Sequence, residues 1–131
     1  MDTPRTFRNP FMEYNFIRLT ETGGGKAVCA LEPRPESLNP YGFVHGGAIY
    51  TIADDVAGYA AHTDGNQWVT QNSTVHFLSN QSGGVLTGTA EVRHRGRRTC
   101  LVDVTITGDA GRLIAAGSFV YYRVELPFRT P

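Results

Sequence analysis

Apolar residues recur along this chain at two different periods, and the switch between them sets the architecture. From His45 to His62 the sequence reads HGGAIYTIADDVAGYAAH. Steps of about 100° per residue gather Ile49, Ile52, Val56 and Ala60 on one side of a helix, widened by Ala48, Ala53 and Tyr59. Gly47, Thr51, Asp54 and Gly58 gather on the other side. A solvent face usually carries long charged side chains, whereas this one is small and polar. The pattern therefore predicts a helix covered on most of its circumference, with small residues admitting a second backbone or a ligand.

Elsewhere the period is two. Stretches at Phe16 to Thr22 and Lys26 to Glu32, joined by Gly23-Gly24-Gly25, read as a hairpin, preceded by an irregular lead-in or short helix around Asn9 to Asn15. After the helix, Gln67 to Leu78 places Val69, Val75 and Phe77 on one face and Trp68, Thr70, Thr74 and His76 on the other. Val85 to His94 aligns Leu86, Gly88, Ala90 and Val92. Thr99 to Thr107 aligns Cys100, Val102, Val104 and Ile106. Leu113 to Val124 aligns Leu113, Ala115, Gly117, Phe119 and Tyr121. Turns fall at Ser82-Gly83-Gly84, Arg95-Gly96-Arg97 and Asp109-Ala110-Gly111. The expected architecture is α+β, with about six antiparallel strands curled around one long central helix in a single domain over residues 1–131.

Composition narrows the function classes. The 131 residues are 40% hydrophobic and 18% charged, which suits one folded domain. Twelve basic residues balance twelve acidic ones, which disfavours a nucleic-acid binder held by phosphate neutralisation. No apolar run reaches the roughly 18 residues of a membrane span, and no secretory leader pattern opens the chain. A soluble cytoplasmic protein is the expectation. Cys29 and Cys100 have neither metal-ligand nor redox spacing and read as reduced core residues. No residue set has metal-ligand spacing, and no cofactor is expected.

Two features carry candidate chemistry. The glycines at 46 and 47 leave the first amides of the helix approachable, at the end where its dipole is positive. Such an end can bind an anion or polarise a carbonyl oxygen, or the glycines can simply permit a tight turn. Asp54 lies mid-helix on the small face. A buried carboxylate there requires a partner, an altered pKa or a chemical role. Asp55, about 100° round the helix, reads as structural, within reach of His62.

Together with Asn39, six residues before His45, the stretch HGGAIYTIADDVAGYAA resembles the hotdog-fold acyl-CoA thioesterases of the phenylacetate-degradation (PaaI-like) family. Their pattern is roughly N-x-x-G-x-x-H-G-G-x-x-x-x-L-x-D. The similarity continues through TVHFLS and VRHRGRRTCLVDVTITGDAGRLIAAG. The resemblance implies a hotdog fold and hydrolysis of an acyl- or aryl-acyl-CoA to free acid and CoA. It implies Asp54 as nucleophile or general base, and the Gly46 N–H as donor to the thioester oxygen. Asn39 and His45 would stand near the reacting group, and Thr70 would offer a hydroxyl near the lytic water. Gly47, Thr51 and Gly58 would flank the acyl group. Departures from the family are Asp55, where a small or hydroxyl residue is common, and Asn80, where a proline often follows the strand. Within the run Arg93, Arg95, Arg97 and Arg98, the last two are the candidates for the CoA phosphates.

Gly46 and Asp54 are eight residues apart, about 12 Å along a helix, whereas attack requires about 3 to 3.5 Å. If both roles hold, the site is shared between two copies of the helix in a two-fold homodimer, which the family often pairs further into a homotetramer. The rival functions are a non-catalytic acyl-CoA-binding module and a hotdog dehydratase or hydratase.

Overall fold

A computed structural model describes residues 9–127, so Pro4 and the rest of the expected lead-in before Asn9 lie outside the described residues. The chain begins with a single helical turn, α1 (Pro10–Tyr14), capped by the Asn9 side chain, which accepts from the Met12 N–H at 3.0 Å. Strands β1 (Ile17–Gly23) and β2 (Lys26–Leu31) follow. Gly24 and Gly25 form the turn between them, both at positive φ (60° and 79°), the left-handed geometry a two-residue hairpin favours. The long helix α2 runs from Gly46 to Ala61, 16 residues, with His45 and His62 as its caps.

Strands β3 (Gln67–Phe77), β4 (Leu86–Arg95), β5 (Thr99–Thr107) and β6 (Leu113–Val124) complete the chain. They form one sheet in the order β1-β2-β4-β5-β6-β3, with every pair antiparallel. α2 touches all six strands, which a sheet manages only by wrapping around the helix. Ile49, Ile52, Val56 and Ala60 are buried against it, as the periodicity requires, while Cys29 and Cys100 are free thiols in the core. Gly88 on β4 lets the helix settle: a Cβ there would lie 3.1 Å from the Ile52 side chain.

Slips in the strand register change which residues face the helix. On β3 the register slips between Thr70 and Asn72, so Gln71 is an extra residue against β6. An inserted residue inverts the alternation beyond it. Trp68 and Thr70 therefore face inward before the bulge, and Ser73 and Val75 after it, because Thr70 pairs with Tyr121 and Ser73 with Phe119, both buried. The expected common face of Val69, Val75 and Phe77 is thus divided, with Val69 turned outward. On β4 the slip between Val92 and His94 turns Arg95 inward, opposite Cys100. Leu113, expected inward on β6, is exposed next to a further irregularity at Ile106/Thr107, and Ile114 is buried in its place.

Ile52 is fully buried where the helix crosses Gly88. Ile52→Ala is expected to destabilise the fold by about 2–5 kcal/mol, measured by urea unfolding at fixed protein concentration. A change below about 0.5 kcal/mol would contradict this packing.

Candidate active site

The entry to α2 is held from three directions. The His45 N–H donates to Ser37 O (2.7 Å) and the Val44 N–H to Gln81 O (3.1 Å). The Asn80 side-chain amide donates to Val44 O at 2.8 Å, so the asparagine that departs from the family pattern fastens the loop before the helix. Asn39 shapes the preceding turn: its Oδ1 accepts from the Tyr41 and Phe43 N–H groups at 2.9 and 3.1 Å. At the helix start itself the His45 Nδ1 accepts from the Gly47 N–H at 2.8 Å. A Cβ on Gly47 would lie 3.0 Å from that nitrogen, so the residue is small because the cap folds over it. Of the two amides expected to be bare, one is therefore capped. The Gly46 N–H forms no hydrogen bond among the described residues.

Two turns along, Asp54 is half-buried beneath β3 and β6. Its Oδ1 accepts from the Thr70 hydroxyl at 2.8 Å and lies 2.8 Å from the Tyr121 hydroxyl, which is also 2.7 Å from the Asp54 backbone oxygen. Thr70 and Tyr121 are direct cross-strand neighbours beside the β3 bulge, which explains why both reach the same oxygen. Sequence reasoning counted Tyr121 only as a core position. The available signal was a phenol closing the inward apolar row of β6, since a buried tyrosine hydroxyl requires a partner. Burial, and then the Asp54 charge, push the Tyr121 phenol well above its ordinary range.

The other expected positions have distinct local contacts. The Thr51 hydroxyl donates to Gly47 O at 2.8 Å. Gly58 lies under the Tyr121 ring, where a Cβ would be 3.5 Å from the hydroxyl. The arginines separate into two groups. Arg93 pairs with Asp103 (2.8 Å), and Arg95 pairs with Asp64 (2.8 Å) while donating to Ala61 O at the end of α2 (3.0 Å). Arg97 and Arg98 instead line a cleft of about 370 Å³ together with Arg123, Val124 and Glu125. Arg123 escaped the sequence reading because it comes from another strand.

Asp55 points away from Asp54's partners. Asn9 donates to its Oδ1 at 3.3 Å, while its Oδ2 is buried with no hydrogen-bond partner among the described residues. His62 does not serve as the expected partner. Its Nε2 accepts from the Trp68 N–H at 3.2 Å, so Nδ1 carries the proton and donates to Gly58 O at 2.6 Å. Burial, then the adjacent Asp54 charge, push the Asp55 carboxyl up to about 7.

A sheet wrapped on one helix, with a carboxylate mid-helix and an open amide at the helix start, is the frame of a hotdog hydrolase. The family model described as "Thioesterase superfamily" matches residues 41–115, and the chain belongs to that superfamily of thioester hydrolases. The Mycobacterium tuberculosis protein Rv1847, which carries an esterase name, is 38% identical over 122 residues, 88% of this chain and 87% of its own. The acyl-coenzyme A thioesterase PaaI of Escherichia coli is 33% identical over 92 residues, 70% of this chain and 66% of its own. Its solved structure superposes with a TM-score of 0.86 at 27% identity, covering 89% of this chain and 86% of that one. A thioesterase-type protein of Streptococcus pneumoniae, solved with coenzyme A, superposes with a TM-score of 0.81 at 30% identity, covering 86% and 90%. Two further structures of that protein carry alanine in place of an aspartate and of a threonine 16 positions apart, the separation of Asp54 and Thr70. Among the described residues no helix is long and apolar enough to cross a membrane.

The raised Asp55 carboxyl makes stability fall as pH rises. Below its ordinary value of 3.8 the group is protonated folded or unfolded; between there and about 7 the folded state holds the proton more tightly, and that advantage disappears as pH climbs. Asp55→Asn keeps an oxygen for Asn9 and removes the titration. The variant's melting temperature is expected to gain on the parent's between pH 3.8 and about 7, then to hold a constant lead. A pH-independent difference would contradict the assignment.

Proposed function

We propose that the protein hydrolyses acyl- or aryl-acyl-CoA thioesters to the free acid and CoA, with Asp54 as the reacting carboxylate. The observation that carries this reading is the Asp54 side chain: one oxygen is engaged by hydroxyls from two strands, and the other is free of hydrogen bonds among the described residues. Support comes from the relatives named as acyl-CoA thioesterases, and from the aspartate and threonine chosen for replacement in the coenzyme A-bound pneumococcal protein.

In this mechanism the substrate carbonyl docks on the Gly46 N–H, whose donor strengthens as negative charge grows on the oxygen. His45 orders that amide by capping its neighbour, and Asn39 shapes the loop that leads to it, its own Nδ2 turned to the thioester or water. Asp54 removes a proton from a water beside Thr70. The hydroxide adds to the carbonyl carbon, the C–S bond breaks, and the departing thiolate takes up a proton. In the alternative order Asp54 itself attacks, and water then hydrolyses the resulting mixed anhydride. Arg97 and Arg98 hold the CoA phosphates, with Arg123 beside them. The acyl group lies along the small face of α2 near Gly47, Thr51 and Gly58.

The site is shared between subunits. α2 is continuous from Gly46 to Ala61, so Asp54 stands about 12 Å from the Gly46 amide of its own chain. The Gly46 amide of one protomer therefore serves the Asp54 of its partner, and the homodimer is the catalytic unit. Strand β3, at the end of the sheet, supplies an edge for that contact.

Thiol release across a panel of aliphatic and aromatic acyl-CoA substrates is expected to find at least one good substrate. Asp54→Asn is expected to lower turnover on it by at least about 10²-fold with the fold retained. An active Asp54→Asn enzyme would remove Asp54 from the reaction.

A further inference from the structure

The reading of Asp54 leaves open how a carboxylate on a short side chain keeps one orientation. Thr70 alone leaves rotation about the Oδ1 contact. Tyr121 adds a second donor from the neighbouring strand, and its position is built rather than incidental. It is 3% exposed, and its ring stacks on Phe119 (centroids 6.3 Å apart), which in turn meets Tyr50 on α2 (5.6 Å). Gly58 lies one helical turn beyond Asp54 and touches the ring's path: a Cβ there would be in ordinary van der Waals contact, 3.5 Å from the phenol oxygen, so the ring lies directly on α2. The hydroxyl bridges the Asp54 backbone oxygen and Oδ1 at 2.7 and 2.8 Å, tying the side chain to its own backbone.

We propose that Tyr121 is the positioning residue of the reaction: with Thr70 it holds Asp54 Oδ1 and so presents Oδ2 as the reacting atom. This rests on Asp54 being the reacting acid. The phenol keeps its proton, because burial and the Asp54 charge both oppose ionisation, so it acts as a fixed donor and not as an acid or base. The ionisable groups around the pair are Asp54 and Asp55 on α2 and Tyr121 on β6, while β3 contributes the neutral Thr70 hydroxyl.

The test is Tyr121→Phe, with Asp54→Asn as reference, in steady-state acyl-CoA hydrolysis. The expected result is a fall in kcat of about tenfold with KM changed by less than about twofold. Placing 4-fluorophenylalanine at position 121 nearly keeps the side-chain volume and removes the donor, so the same fall in kcat is expected with KM held. This second substitution decides the matter if Tyr121→Phe fails to fold. An unchanged kcat, or a fall in kcat that only follows lost thermal stability, would assign Tyr121 to packing and overturn the proposal while leaving Asp54 in place. Full activity in Asp54→Asn would instead overturn the reading on which it rests.

Discussion

A helix fixes the distance between its residues, and in this protein that fixed distance separates the two groups the proposed chemistry needs. The open amide is on the first residue of α2 and the carboxylate is eight residues further on. No rotamer of an aspartate spans the roughly 12 Å between them. The proposed pairing of two chains follows from this constraint, and several local features fit it. β3 is an end strand, Phe77 and Leu78 at its far end are more than half exposed, and the Phe77 ring would meet a Cβ on Gly46 at 3.8 Å. The strand that carries Thr70 thus also reaches the start of the helix.

The helix that carries both groups of the proposed chemistry is clamped at both ends. His45 closes the first turn over the Gly47 amide, with Ser37, Gln81 and Asn80 holding the backbone before it. At the other end Arg95, turned inward by the β4 bulge, donates to Ala61 O, pairs with Asp64 and lies over the Trp68 ring. A cation on the last carbonyls also opposes the negative end of the helix dipole. Adjacent carboxylates then separate by environment. Asp54 turns to the hydroxyls of β3 and β6, while Asp55 turns to Asn9 with its Oδ2 buried and unpaired among the described residues.

Much of this was legible in the sequence. The 3.6 period gave α2 to within a residue at each end, and the period of two gave β5 and β6 at their observed limits. What escaped depends on single inserted residues and on contacts between distant segments. Gln71 and Arg93 look like ordinary strand residues, yet as bulges they invert the faces beyond them, which divided the apolar set of β3 and turned Arg95 inward. The Asn39, His45, Asp54 pattern carried the resemblance to thioesterases. Tyr121, 67 residues from Asp54, carried no local mark beyond a polar tip in a buried row. The Gly47 amide seemed open because a histidine before a helix is not an obvious cap.

The most direct measurement mixes two inactive forms. Gly46→Pro deletes the open N–H at a position where helices accept proline, after a His45 backbone already extended (φ −62°, ψ 135°). Paired with Asp54→Asn, it gives hybrid dimers in which one site carries both defects and the other carries neither. If the site is shared, mixing the two silent proteins after dissociation restores thiol release, towards about a quarter of the parental rate at equal proportions, since half the dimers are hybrids with one intact site of two. If mixing restores nothing while hybrid dimers form, each chain reacts on its own and the account fails.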